Sequence, residues 1–179
     1  SEDRSWALQS GQEFSINSHG PCSIAALTAP TLGQSIDCFV RFIPIRIPYL
    51  QLAFHQNETL SFIEYKNTID LGKTWRIIIE RCVSVQESFF KTFVGADINN
   101  MQLELAFNAP REYAYQPWLK SQVKFNCDHN RLIFPSAWCA MPSPLHDADL
   151  YLYNITKCHH LMQQFSQPQT VPEFVEQKV

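Results

Sequence analysis

Apolar and polar residues alternate twice in quick succession near the middle of the chain. Leu50, Leu52 and Phe54 are separated by Gln51 and Ala53 and followed by His55. After Gln56-Asn57-Glu58, a second run from Thr59 to Asn67 sets Leu60, Phe62 and Glu64 on one face and Ser61, Ile63 and Tyr65 on the other. A two-residue period is that of a strand, and two such runs around a short polar break predict a hairpin. Because Glu64 shares a face with Leu60 and Phe62, it reads as an inward-facing carboxylate. On either side the period lengthens. Leu32, Ile36, Phe39, Val40 and Ile43 recur at helical spacing. Thr31, with Gln34 three residues on, forms a capping box at the start of this helix, and Pro44 and Pro48 prevent its continuation. The longest helical pattern is Gly72–Val94. Trp75, Ile78, Ile79, Cys82, Val83, Phe89, Phe90 and Phe93 form its stripe, while Arg76, Glu80, Arg81, Glu87 and Lys91 fall largely elsewhere. Gly95 follows where a helix end favours a left-handed residue.

Residues 1–19 are polar, with room for one helical turn, and Cys22–Leu27 predicts a short helix. Met101, Leu103, Leu105 and Phe107 alternate with polar or small residues as a third strand. Pro110 opens a short amphipathic helix through Tyr113, Trp118 and Leu119. Val123–Asn126 and Arg131–Phe134 are two short strands around a turn at Asp128-His129-Asn130. A last helix runs from about Asp147 to Gln164, with Tyr151, Ile155, Cys158, Met162 and Phe165 on its stripe and Lys157, His159, His160 and Gln163 outside it. The order α–α–β–β–α–β–α–β–β–α contains consecutive hairpins, which excludes a regular βαβ sheet, and the helical stripes must be buried against the strands. The expected fold is α+β: an antiparallel sheet of four to five strands with helices packed on one face. Residues 1–165 make one domain, and 166–179, with two prolines and no periodicity, read as a linker.

Composition narrows the function. The chain has 179 residues, of which 45% are hydrophobic, long enough to bury about 70% of its unfolded surface. Its six scattered cysteines, with no C-x-x-C, therefore read as free and mostly buried thiols rather than as staples. No apolar run approaches the roughly 20 residues of a membrane span. Net charge is −3 with no basic cluster, which argues against nucleic-acid binding by these residues themselves. Cys127, His129, His146, Asp147, Asp149 and the run Cys158-His159-His160 could ligate metal, but zinc sites favour paired close spacings. Consecutive helical residues also point about 100° apart. His146-Asp147 reads more simply as the entry cap of the last helix. There is no G-x-S-x-G and no glycine-rich phosphate loop. Glu64 and Glu104 are the only carboxylates on the apolar strands, so no acid–base pair converges. The residues call for no enzyme activity and no cofactor.

Five segments in order carry a family resemblance. They are Ala29-Pro30-Thr31-Leu32-Gly33-Gln34-Ser35; Phe107-Asn108-Ala109-Pro110 followed by Tyr115; Gln122–Asn126; Asn130–Pro135; and Pro142–Asp149. Together, over about Gly20 to Gln164, the chain resembles the N-terminal sensing domain of AraC-type bacterial transcription regulators, the arabinose-binding-like branch. The resemblance implies a cytoplasmic, effector-sensing and dimerising domain. It also implies a small-molecule partner, no membrane, and DNA contacted only through a C-terminal helix-turn-helix domain that these residues do not include. The chain then reads as a fragment, with further helices expected before Ser1. The expected ligand pocket lies between sheet and helices, lined by Phe54, Phe62, Phe107 and Trp138, with Glu64 or Arg131 as polar anchor. A solid core is the alternative reading of the same rings. Two other functions stay open at this point. One is a haem- or metal-dependent sensor using His55, His129 or the Cys158–His160 run; the other is a small enzyme using Glu64 and a histidine.

Overall fold

The computed structural model describes residues 5–13 and 20–166. Five strands form one sheet in the spatial order β1-β2-β5-β3-β4. They are β1 (Leu50–Gln56), β2 (Leu60–Asn67), β3 (Gln102–Glu104), β4 (Gln122–Lys124) and β5 (Arg131–Pro135). The expected hairpin is present, with Leu52 opposite Tyr65 and Phe54 opposite Ile63. β5 adds antiparallel to β2, and β3 antiparallel to β5. β4, however, runs parallel to β3. The two strands flanking the 128–130 turn are therefore not partners, because β3 lies between β5 and β4. Local alternation carries no information about this. The parallel pair depends on the long connection 105–121, the kind of crossover that parallel strands require.

Register decides which face of the sheet is core. Leu50, Leu52, Ser61, Ile63, Tyr65, Leu103, Leu132 and Phe134 share one face and are buried. Helices gather on that side. They are α1 (Trp6–Gln12), α2 (Pro21–Thr28), α3 (Leu32–Phe42), α4 (Thr74–Val94) and α5 (Ala148–Ser166). Phe90 of α4 meets Phe134 edge-on, with ring centroids 4.9 Å apart, and α3 packs on β1. Behind them α2 packs against both α3 and α5. Glu64 lies on the opposite, outer face. It is buried, but among charged neighbours rather than beneath the helices, and this corrects the inward reading of its strand face. The face of Ser61, Ile63 and Tyr65 is inward because its cross-strand neighbours Leu52 and Leu132 extend one apolar surface.

The caps follow the sequence. Thr31 Oγ1 accepts the amide of Gln34 at 3.3 Å, Asp147 Oδ1 accepts that of Leu150 at 2.9 Å, and Gly95 ends α4 at a φ of 58°. The helix expected at 110–119 is absent. Only a single turn forms there, with the amides of Trp118 and Leu119 both donating to the Tyr115 carbonyl at 2.9 Å. The segment instead lies across α4 as a strap. Its tyrosines 113 and 115 donate to Glu80, and the amides of Lys120 and Ser121 donate to Glu87 at 2.6 and 2.9 Å. Those bonds replace helical ones and bury Glu80 and Glu87, two residues the helical pattern set outside the stripe. The expected linker lies outside the described residues beyond Ser166.

Candidate functional site

Packing of α3, α4 and β1 leaves a cavity of about 240 Å³. Its shape follows from two prolines. Pro44 and Pro48 prevent α3 from running on, and the chain turns through the 3-10 segment Ile43–Ile45 before entering β1. The turn is closed by Ile47 N donating to Ile43 O at 2.9 Å and Leu50 N to Ile47 O at 3.0 Å. Ile43, Ile47, Leu50 and Leu52 thereby form one wall, with Phe39 of α3 and Val85 of α4 facing the same space.

Polar groups are few. Cys22 of α2, Cys82 and Gln86 of α4, and the guanidinium-bearing Arg46 and Arg81 complete the lining. Gln86 is already engaged, accepting the Tyr65 hydroxyl. Arg81 Nη1 donates to Ser10 Oγ at 3.0 Å. Burial pushes the Cys82 thiol up to about 12, so it is neutral at ordinary pH. Cys22 is held below the usual thiol range by the Cys158 thiol that donates to it, against the effect of burial and with help from the charge of Arg46. The two sulfurs are 3.7 Å apart and join α2 to α5. All six cysteines are free. No carboxylate lines the cavity among the described residues.

A second, open cleft of about 1040 Å³ lies beside the strap, with Trp6, Trp75, Phe107 and Tyr113 in its walls. Its lining includes the protein's own cation, Arg76. The Arg76 guanidinium sits 4.8 Å from the Phe107 ring centroid and 5.6 Å from that of Tyr113, with Nε 2.8 Å from Glu80.

The six residues expected around one pocket fall into three places. Phe54 and Trp138 lie on the core side, each nearly parallel to the Phe134 ring, with centroids 6.3 and 6.4 Å from it. Phe62, Glu64 and Arg131 meet on the outer face. There Arg131 covers the Phe62 ring at 4.6 Å, while Glu64 is contacted by Lys66 at 2.8 Å, His129 at 3.1 Å and Arg131 at 3.2 Å. Hydrogen bonding from Lys66, opposed by burial and aided by Arg131, holds the Glu64 carboxyl below the usual range. Phe107 lies in the open cleft. None of the six lines the cavity between α3, α4 and β1. The residues that do line it carried two sequence signals. One is the repeated isoleucine around a lone arginine in Ile43-Pro44-Ile45-Arg46-Ile47-Pro48. The other is the i, i+1, i+4, i+5 grouping of Arg81, Cys82, Val85 and Gln86 on one side of α4.

The potential metal ligands are dispersed. His129 meets Glu64, His146 Nδ1 lies 2.8 Å from the Thr28 carbonyl oxygen, and His159 meets the Phe42 ring edge-on at 5.1 Å. His160 pairs with Gln164. Among the described residues no three His, Cys, Asp or Glu side chains are placed to hold a metal ion. No helix there is long and apolar enough to cross a membrane.

A sequence profile described as the arabinose-binding domain of AraC transcription regulators, N-terminal, matches residues 1–143. The fold is similar to that in the crystal structure of the transcriptional regulator CdpR from Pseudomonas aeruginosa, with a TM-score of 0.68 at 12% identity. That superposition covers 88% of this chain and 54% of the regulator, so the chain spans about half of its length. No curated protein sequence matches.

Proposed function

The chain belongs to the family of N-terminal arabinose-binding domains of AraC transcription regulators, and from that premise we propose that it senses a small-molecule effector held in the cavity between α3, α4 and β1. The observation that carries this reading is the cavity itself: partly open, mostly apolar, and floored by β1 of the sheet. At about 30 Å³ for each water-sized group, it has room for about eight such groups. The sugar in the family's name is not carried over. A sugar needs many hydrogen-bonding partners, whereas the cavity's one amide, Gln86, already accepts from Tyr65.

A sensor without chemistry acts through the difference in its effector's affinity for two states. Two routes lead from the cavity to α5. Cys22 lines the cavity and touches Cys158. Phe39 lines it on α3, and on the same helix Phe42 meets His159. α5 is thus the output element in this reading. Its exposed Leu152 and Tyr153, with Lys157 and His160, would face a second copy of the chain or a DNA-binding domain of helix-turn-helix type. The protein would then work in the cytoplasm as a dimer, touching DNA through that other domain and catalysing nothing.

Thermal denaturation in the presence of a metabolite library tests the site. At least one compound should raise the midpoint of the wild-type chain and lose that effect in Val85→Trp, which fills the cavity. Stabilising compounds that act equally on Val85→Trp would remove the cavity from the mechanism.

A further inference from the structure

We propose that Cys22 and Cys158 are an oxidative modification site: a thiol pair that hydrogen peroxide converts to a reversible disulfide pinning α2 to α5. The inference goes beyond effector sensing and stands whether or not a ligand occupies the cavity. Placement carries it. Cys22 lies in the first turn of α2 and Cys158 in the body of α5. Their sulfurs are 3.7 Å apart, with the Cys158 thiol donating. A disulfide needs about 2.05 Å between sulfurs, a small closing movement for side chains on two helices that already pack together. Other thiols are engaged differently. Cys139 donates to the Ser61 hydroxyl at 3.9 Å, Cys127 to the carbonyls of Lys124 and Phe125, and Cys38 shares a hydrogen bond with Tyr151.

Access is one-sided. Cys22 lines the partly open cavity of about 240 Å³, ample for a peroxide of two oxygen atoms at about 30 Å³ for each water-sized group. Cys158 is fully buried. Cys22 is therefore the thiol that meets the oxidant. It is also the better thiolate: donation from the Cys158 thiol holds it below the usual range, and the first turn of a helix favours the charged sulfur. Cys158 is pushed up, first by its bond to Cys22 and then by burial. In the first step the Cys22 sulfur attacks one peroxide oxygen. The O–O bond breaks, Cys22 becomes a sulfenic acid, and the other oxygen leaves as water with the Cys22 proton. A neutral sulfenic acid no longer opposes ionisation of its neighbour. The Cys158 sulfur then attacks that of Cys22, the S–O bond breaks, and the hydroxyl leaves as water with the Cys158 proton. Two thiols lose two electrons and the peroxide gains them.

Hydrogen peroxide treatment of the reduced 179-residue chain at neutral pH, then alkylation of the remaining thiols and non-reducing peptide mass spectrometry, tests the pair. Most of the Cys22 peptide should be recovered cross-linked to that of Cys158, and dithiothreitol should return both as thiols. Trypsin leaves Cys22 and Cys38 on one peptide, because no Lys or Arg lies between them, so variants make the assignment. Cys38→Ser should keep the cross-link and Cys22→Ser should lose it. Cys158→Ser should stop at a Cys22 sulfenic acid, which dimedone traps. The cross-linked wild type should also melt at a higher temperature than the reduced chain, since the bond restrains the unfolded state. Circular dichroism shows whether each variant is folded, and fragmentation of the wild-type cross-link decides the pairing if one is not. A bond from Cys158 to Cys38, a bond within the Cys22–Cys38 peptide, or Cys22 recovered as a free thiol after Cys127 is oxidised overturns the proposal. A cross-linked chain that melts like the reduced one contradicts the pinning of α2 to α5.

Discussion

Glu64 illustrates how much a single side chain depends on neighbours that are remote in sequence. It is buried, yet it faces away from the helices and is surrounded by Lys66, His129 and Arg131. Its carboxyl is held below its ordinary value of 4.5, first by Lys66. A carboxylate with a depressed folded-state pKa stabilises the fold above its unfolded value, and that contribution disappears as pH falls through the folded value. Glu64→Gln should therefore lower stability by roughly 2 kcal/mol at neutral pH, about 4–8 °C in melting temperature. The gap between wild type and variant should close as the pH is taken below about 4.5. Melting curves over that range check it, and a gap that persists at low pH would mean that packing, not charge, is what Gln disturbs. The alternation of β2 correctly assigned Glu64 to the face of Phe62. It could not say which face was inward, since that depends on Leu52 and Leu132 across the sheet. Glu80 and Glu87 were illegible for a related reason. Polarity alone sets a glutamate outside a helix, and their burial is made possible by tyrosine hydroxyls and amides arriving from the 113–121 strap.

At the level of elements, boundaries with their own local chemistry could be read directly: the Thr31 and Asp147 caps, Gly95, the β1–β2 hairpin, and the proline stop after α3. Elements defined by distant partners could not. The 110–119 segment has helix-like apolar spacing, but Pro117 and the pull of two buried carboxylates keep it extended apart from one turn. The placement of β3 between β4 and β5 likewise depends on a crossover. α1 depends on a close approach. A Cβ added at Gly11 would stand 2.4 Å from Ser84 Cβ and 2.9 Å from the Arg81 carbonyl oxygen. Gly11→Ala should therefore push α1 away from α4 and cost about 1–3 kcal/mol. Because Ser10 bonds Arg81, the same variant should loosen that side of the cavity. Hydrogen exchange should show faster amide exchange in Trp6–Gln12 with α3 unaffected. Unchanged protection in α1 would mean that Ser84 yields at little cost.

Across the whole molecule, fold class and family were legible because they rest on the sum of many weak periodic signals, each tolerant of a boundary error of a few residues. The pocket was not. The rings Phe54, Phe62, Phe107 and Trp138 are large and conspicuous in sequence, but register sends them to different surfaces, while the cavity is bounded by aliphatic residues of the Ile43–Leu52 turn and one side of α4. The α2, α3 and α5 layer then connects that space to the last helix through Cys22–Cys158 and Phe42–His159. Location of the ligand is the claim on which the sensing reading and the output route both depend. Methyl NMR of the Ile-, Leu- and Val-labelled chain, titrated with any compound that raises its melting temperature, addresses it directly. The methyls of Ile43, Ile47, Leu50, Leu52 and Val85 should shift together and saturate at one ligand equivalent, with those of Leu145 unmoved. Shifts concentrated instead at Ile77, beside the open cleft of Trp75 and Phe107, with the Ile43–Leu52 methyls unchanged, would contradict it.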